Sequence, residues 1–176
     1  AMYRYMYVIY GSGLTPNLEF IVGIVSSILL ITGALSALVG SLLMHLQRDV
    51  KRIIAYSTVV QMGYLFMASG VRSELGAQAF TLHIINHSIA KALMFLAAGV
   101  FIYMTGSRYL DKLSGMASQS PLSALALAIA GLNLAGVPPL PIFYSKLLMF
   151  NALLTYHSIY AIILVLSSAI ALIAYI

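Results

Sequence analysis

Long apolar runs with almost no charged side chains constrain this chain more than any other feature of its sequence. They cover residues 20–44, 77–104, 122–137 and 159–176. A bilayer core of ~30 Å is crossed by about 20 residues of helix, and only helices or closed barrels satisfy every backbone polar group in lipid. The chain is 62% hydrophobic and 7% charged, whereas soluble domains average about 25% charged residues. The sequence therefore predicts an all-α polytopic membrane protein.

Charged and turn-forming segments divide these runs into a bundle of about six transmembrane helices. The predicted spans are 19–46, 53–71, 77–104, 121–137, 141–155 and 158–176. If the spans alternate in direction, Arg72 lies alone on one side of the membrane. The basic residues on the other side are Arg48, Lys51, Arg52, Arg108 and Lys112. By the positive-inside rule, the segments at 47–52 and 105–120 are expected to be cytoplasmic.

The segment "GVPPLP" at 136–141 places three prolines at one junction. Proline lacks the backbone N–H that continues a helix, and broken helices in membranes mark cavities and ion sites. We therefore expect one proline-broken helix at this point. The whole chain, 1–176, is expected to be a single transmembrane domain and part of a longer protein, with 1–10 as the tail of a preceding helix.

The run at 77–104 carries three ionisable side chains, His83, His87 and Lys91. Their spacing of four residues advances each by about 40° around a helix and ~6 Å along it, so they form one polar stripe about 12 Å long. A charged lysine near mid-membrane costs at least ~2.5 kcal/mol and usually faces a bundle interior or a water-filled path. Histidine titrates near neutral pH, and one bridging water can pass a proton between such groups. The stripe predicts a proton-transfer path, with Thr81 and Ser88 as nearby hydroxyls.

Two other interpretations of the stripe stay open from the residues alone. A histidine inside a membrane often serves only as a hydrogen-bond partner between helices. Two histidines at i and i+4 could also bind zinc, but a closed site needs four ligands, and no cysteine or carboxylate lies nearby in the sequence. Lys91 favours proton transfer because it is the costliest of the three to bury and its own helix offers no obvious acidic partner.

Lys146 is a second lysine in an apolar segment, "PIFYSKLLMFNALL", just after the proline junction. Its position beside a broken helix favours an ion site. A lysine near a helix end can equally extend its ammonium group to the interface, with no function in transport. Composition alone does not separate these two interpretations.

Three motifs carry a resemblance to a known family. "RDVKRIIAYSTVVQMGY", "HIINHSIAKALMFLAAG" and "AGVPPLPIFYSKLLM" follow one another between residues 47 and 150. In order and spacing they resemble the antiporter-like subunits of respiratory complex I, of the NADH-quinone oxidoreductase chain L, M and N type. The same family includes Mrp-type sodium/proton antiporters and membrane-bound hydrogenases. The family's upstream lysine–glutamate pair has no counterpart in this sequence, so the resemblance implies a fragment from the C-terminal half.

The resemblance implies roles for individual residues. His83, His87 and Lys91 match the family's central relay along the mid-plane of the membrane. Lys146 matches the terminal residue of the second half-channel, where the proton is handed out. The "DVKR" segment at 49–52 matches a motif near the membrane surface, which we interpret as structural.

The function expected from this resemblance is translocation of protons, with sodium as an alternative ion, by a subunit of a redox-driven pump such as complex I or a membrane-bound hydrogenase. The chain would be a translocase subunit without a redox centre, cofactor or metal of its own. It contains no cysteine, which excludes thiolate-bound iron–sulfur clusters and disulfides within it. An Mrp-type cation/proton antiporter subunit and a non-conducting membrane anchor are the alternatives.

The expected partners are the lipid bilayer and the other membrane and redox subunits of a multisubunit complex. The expected location is the cell membrane of a prokaryote or the inner membrane of an organelle. Nucleic acid is not an expected partner, because the net charge of +5 is explained by the topology of the loops.

Overall fold

The computed structural model describes residues 16–175 of the chain, and the predicted helix tail at 1–10 lies outside that range. Eight helices lie within the described residues, separated by short connections. In chain order, α1 to α8 are Pro16–His45, Val50–Gly70, Glu74–Thr105, Leu110–Leu113, Met116–Gln119, Pro121–Ala135, Pro141–Tyr156 and Ser158–Tyr175.

Four of these helices, α1, α2, α3 and α8, are long and apolar enough to cross a membrane. Their positions agree with the spans predicted from the apolar runs, and the prediction of an all-α membrane bundle is confirmed. The helices form in these segments because a backbone in lipid must satisfy its hydrogen bonds internally. Their outward faces carry apolar side chains, among them Ile28, Leu35 and Ile89, each more than half exposed.

The helices α1 and α2 form the most extensive pair in the bundle. They approach so closely because two glycines face each other where they cross. A Cβ atom on Gly63 would lie 2.6 Å from the Gly33 carbonyl oxygen and 2.7 Å from the Ala37 backbone nitrogen. Small residues at such crossings let membrane helices pack backbone to backbone.

The helices α6 and α7 follow one another along α3. A Cβ on Gly131 of α6 would lie 3.8 Å from Met94 Cε of α3, and Asn86 of α3 donates a hydrogen bond to the Pro141 carbonyl at the start of α7 (3.3 Å). With 15 and 16 residues, each is shorter than a full crossing. Together they make one broken helix antiparallel to α3, which confirms the break predicted at the prolines. The spans predicted on either side of the break are thus the two halves of one crossing.

The loops before α2 and after α3 meet at one end of the bundle. The Val50 N–H donates to the Arg108 carbonyl (3.0 Å), and the Leu110 N–H donates to the Arg48 carbonyl (3.0 Å). The Asp49 carboxylate accepts a hydrogen bond from the Lys51 N–H (2.9 Å) as the N-cap of α2. These contacts place the two basic loops on the same side, as the alternation of spans predicts. Their assignment to the cytoplasm stays a prediction.

Replacing Asp49 with alanine is expected to lower the stability of the bundle by about 1–2 kcal/mol, because an N-cap is lost. Asp49 is buried and also pairs with Arg108 Nε at 2.8 Å, but the Arg108 side chain is 54% exposed, so the ion pair adds little. Asp49→Asn keeps a capping oxygen and is expected to stay close to the unmodified protein. Thermal denaturation of the purified protein in detergent measures both. Equal losses in the two variants would contradict the assignment of the effect to the cap.

Candidate functional site

The three ionisable residues predicted as a stripe all lie on the inner face of α3. His83 is fully buried, and His87 and Lys91 are 5% and 7% exposed. Thr81 and Ser88, predicted as nearby hydroxyls, do not join them. Both hydroxyls donate to carbonyl oxygens four residues earlier in α3, because they lie on other faces of the same helix.

Lys91 is held by neutral oxygen atoms of α2. Its ammonium group donates to the Ile54 carbonyl at 2.8 Å and to the Ser57 hydroxyl. Among the described residues the ion pair found is that of Asp49 with Arg108, so Lys91 has no carboxylate partner in this part of the chain. Its partners can therefore bind either the ammonium ion or the neutral amine.

His83 connects α3 to both neighbouring helices. Its Nδ1 lies 2.8 Å from Ser145 Oγ of α7, and its Nε2 lies 3.0 Å from Gln61 Oε1 of α2. The ring stacks on His87, with centroids 6.1 Å apart and planes at 10°. His87 Nδ1 is buried without a hydrogen-bond partner among the described residues, an arrangement that a bridging water would satisfy. Because both ring nitrogens of His83 contact protein groups, the zinc interpretation loses one of its two histidine ligands.

Lys146 of α7 points into the bundle at the break of the helix. Its ammonium group donates to the carbonyl oxygens of Leu134 (3.0 Å) and Ala135 (2.8 Å) and to Ser168 Oγ of α8 (2.7 Å). It also lies 5.3 Å from the centre of the Tyr64 ring. The two carbonyls end α6, where they have no helical partner and carry the negative end of the helix dipole. The broken helix thus supplies a site for a cation in an apolar region.

The turn after α6 fits closely around that lysine. Gly136 has a φ of +84°, and a Cβ added there would lie 2.8 Å from Lys146 Cδ. Asn133 Oδ1 accepts a hydrogen bond from the Ile142 N–H across the break (3.1 Å). A groove of about 310 Å³, lined by residues of α6, α7 and α8, reaches Lys146 from outside the bundle. The alternative interpretation, that Lys146 extends to the interface, does not fit this inward position, since the residue is 7% exposed.

Sequence reasoning missed the polar residues of α2 that face the stripe. Gln61 is fully buried, and its Nε2 donates to the Leu134 carbonyl (2.9 Å), the same oxygen that Lys146 contacts. Ser57, Gln61 and Tyr64 follow one another at spacings of four and three residues. That spacing places them on one face of a helix and could have identified them before the structure.

The contacts join the two lysines into one polar region. Gln61 lies one turn beyond Ser57, which binds Lys91, and bonds to both His83 and the carbonyl shared with Lys146. Tyr64 lies one turn further, and its hydroxyl accepts a hydrogen bond from Ser167 of α8 (3.1 Å). The arrangement is a buried row of titratable groups and neutral hydrogen-bonding side chains inside a membrane bundle. Such a row can hold and pass protons.

Comparison with known proteins shows that the chain is similar to membrane subunits of NADH-quinone oxidoreductases and of an Mrp complex. The profile of the family described as "NADH:quinone oxidoreductase/Mrp antiporter, TM" matches residues 8–171. The chain is 41% identical over 128 residues to NADH-ubiquinone oxidoreductase chain 5 of Cryptococcus neoformans var. grubii, an alignment that covers 72% of this chain and 19% of that protein. It spans about a fifth of the length of the curated relatives it matches.

The fold is also found in solved structures. A chain of the membrane-bound sulfane sulfur reductase, an archaeal respiratory membrane complex, superposes with a TM-score of 0.87 and 26% identity, covering 99% of this chain and 35% of its own length. A chain of the Mrp complex from a Dietzia species superposes with a TM-score of 0.80 and 30% identity, covering 85% of this chain and 28% of its own length.

Proposed function

We propose, from the fact that the chain belongs to the transmembrane family of NADH:quinone oxidoreductases and Mrp antiporters, that it translocates protons across the membrane as part of a redox-driven complex. The residues proposed to bind and pass the proton are His83, His87, Lys91 and Lys146. The names of its relatives, an NADH-ubiquinone oxidoreductase chain and a respiratory membrane complex, support a complex in which partner subunits carry the electrons.

The observation that carries this proposal is the pair of buried lysines whose partners in the described residues are neutral. Lys91 and Lys146 donate only to carbonyl and hydroxyl oxygens among these residues. A buried ion pair would fix a lysine in its charged form, because loss of one partner's charge leaves the other unpaired. A lysine among neutral acceptors can lose and regain its proton without leaving a partner with an unpaired charge. That property suits a carrier of protons better than a structural cation.

The two lysines can be coupled through their charges. A positive charge on one disfavours a positive charge on the other in a region of low dielectric, so the proton affinity of each depends on the state of both. In the proposed cycle, a change of charge or hydration delivered by partner subunits shifts the proton from one lysine to the other. His83 and His87 lie between them and accept the proton in transit, with water bridging at His87 Nδ1, which has no hydrogen-bond partner within residues 16–175.

Replacing Lys91 with methionine tests the proposal in the complete complex reconstituted in lipid vesicles. Proton translocation is expected to fall roughly tenfold or more, because a positioned group that binds the proton is removed. Methionine keeps the length and apolar stem of the side chain. Proton uptake is measured with a pH-sensitive dye while redox turnover is followed in the same sample. Lys51→Met, which removes an exposed lysine from the first turn of α2, is the matched control.

The outcomes separate the alternative functions. Loss of translocation in Lys91→Met but not in Lys51→Met supports the proposal. Unchanged translocation in an assembled Lys91→Met complex would refute it and favour the membrane anchor, which should gain stability when a buried charge is removed. Cation-driven proton exchange by a complex that lacks all redox subunits would favour the Mrp-type antiporter. Translocation that requires sodium would show that sodium, and not the proton, is the translocated ion.

A further inference from the structure

The amide of Gln61 can take only one orientation in its fully buried position. Its Nε2 lies 2.9 Å from the Leu134 carbonyl oxygen, and its Oε1 lies 3.0 Å from His83 Nε2. A carbonyl oxygen accepts hydrogen bonds and cannot donate them. The group of Gln61 that faces Leu134 must therefore be the NH₂, and the group that faces His83 must be the oxygen.

The same reasoning extends to the imidazole ring. Since Gln61 Oε1 can only accept, His83 Nε2 must carry a hydrogen to complete this buried bond. We infer that Gln61 is a positioning residue, which fixes His83 in the Nε2–H form so that His83 gains and loses its proton at Nδ1, through the hydroxyl of Ser145. The inference rests on the proposed function, because it names the atom through which a proton carrier exchanges its proton.

The Ser145 hydroxyl can form a hydrogen bond with His83 in both the neutral and the protonated state of the ring. Its Oγ lies 2.8 Å from His83 Nδ1 and 2.9 Å from the Ile142 carbonyl oxygen. When His83 is neutral, the Ser145 hydroxyl donates to the bare Nδ1. When His83 is an imidazolium ion, Nδ1–H donates to Ser145 Oγ, and the hydroxyl hydrogen turns to the Ile142 carbonyl. Rotation of one hydroxyl thus keeps every bond of the site made in either state.

The proton balance of the step is simple. A protonated donor of the pathway, a lysine ammonium group or a hydrated proton, passes one proton to Ser145 Oγ while the Ser145 hydroxyl hydrogen moves to His83 Nδ1, so Ser145 remains a neutral hydroxyl. His83 gains one proton at Nδ1, with a charge change from neutral to +1, while the Nε2–H bond to Gln61 persists. The amide itself passes no proton, so it blocks the direct route from His83 Nε2 towards Ser57 and Lys91 along α2. Exchange at Nδ1 faces α7, the helix that carries Lys146 in the position after Ser145.

The test combines a spectroscopic measurement with translocation, in the complete complex with histidine labelled by nitrogen-15 in bilayers. The His83 signals are assigned by their loss in His83→Gln. Solid-state NMR is expected to show a protonated Nε2 and a bare Nδ1 in neutral His83. In Gln61→Met, which fills the same space without an acceptor, the ratio of Nε2–H to Nδ1–H is expected to fall about fivefold or more, and translocation is expected to fall with it.

Two further variants make the test decisive. Gln61→Glu places an acceptor oxygen against His83 whether it is ionised or protonated, and it is expected to restore the Nε2–H form; it also serves if Gln61→Met does not assemble. Gln78→Met makes the same substitution at an exposed position of α3 and is expected to change neither readout.

Each outcome decides the inference. A bare Nε2 in neutral His83 of the unmodified complex, or an unchanged ratio in Gln61→Met, overturns it. So does loss of the Nε2–H form in Gln61→Glu. A shifted ratio with full translocation in Gln61→Met shows that the Nε2–H form is not needed for transport and overturns the positioning role. The proposed function itself is tested separately, by Lys91→Met. Unimpaired translocation in that variant would refute the proposed function.

Discussion

Replacing Lys146 with methionine is expected to abolish proton translocation, with a fall of about 100-fold or more. Lys146 is the cation in the site formed by the broken helix, where the end carbonyls of α6, Leu134 and Ala135, and Ser168 of α8 surround its ammonium group. Methionine cannot bind a proton, and no other basic side chain is found in contact with these three oxygens among the described residues. The measurement is proton uptake by the reconstituted complex, with redox turnover followed in parallel.

The fall should not be a consequence of misfolding. Removing a buried charge relieves the cost of keeping it from water, and the Leu134 carbonyl keeps its bond from Gln61. We therefore expect Lys146→Met to assemble and to melt at or above the temperature of the unmodified complex. Lys112→Met, which removes an exposed lysine from the short helix α4, is the control and should translocate normally. Full translocation by an assembled Lys146→Met complex would show that the cation site is not part of the path.

Replacing Gly63 with valine is expected to destabilise the bundle by about 3 kcal/mol or more, because the added atoms overlap backbone rather than a movable side chain. The nearest atoms to a Cβ at this position are the Gly33 carbonyl oxygen at 2.6 Å and the Ala37 nitrogen at 2.7 Å. The helices α1 and α2 would have to separate. Thermal denaturation and the yield of assembled complex measure the effect.

The matched control for this variant is Gly99→Val in α3, where no neighbouring atom lies within 4 Å of an added Cβ. Both substitutions place the same β-branched residue in the interior of a transmembrane helix. Only Gly63→Val is expected to lose stability. If the two variants melt at the same temperature, helix propensity rather than the close crossing determines the result.

The separation of α1 and α2 would also reach the proposed site. Ser57, Gln61 and Tyr64 lie on α2 together with Gly63, and a shift of α2 would lengthen the 3.0 Å contact between Gln61 Oε1 and His83 Nε2. A partly stable Gly63→Ala variant should therefore resemble Gln61→Met in the NMR experiment. The distance between α1 and α2 and the fraction of His83 in the Nε2–H form are thus expected to change together.

The sequence located the helices and the lysines because these depend on local patterns. A run of apolar residues about 20 long specifies a transmembrane helix whatever surrounds it, and residues four apart share a helix face whatever packs against it. The stripe of His83, His87 and Lys91 on the inner face of α3 follows from these two facts. So does the break at 136–140, since the prolines there cannot continue the helix.

The hydrogen-bonding partners of those residues could not be predicted from local sequence patterns. Lys91 and Lys146 could have had carboxylate partners, and the sequence offered no means of deciding between these and neutral oxygens. Gln61 stood in a recognised motif, but its contacts to His83 and to the Leu134 carbonyl join residues 22 and 73 positions away. Such contacts depend on the rotation and depth of each helix relative to its neighbours, which side-chain packing sets and no short pattern encodes.

The sequence by itself determined that this is an all-α membrane bundle with an interrupted helix and two lysines in apolar surroundings, because the cost of placing polar groups in lipid acts on each segment separately. Only the tertiary structure decided that α6 and α7 form one crossing, that the end of α6 holds Lys146, and that Gln61 joins the stripe to that end. These depend on which helices touch and at what depth. The contacts that fix them come from residues far apart in the chain.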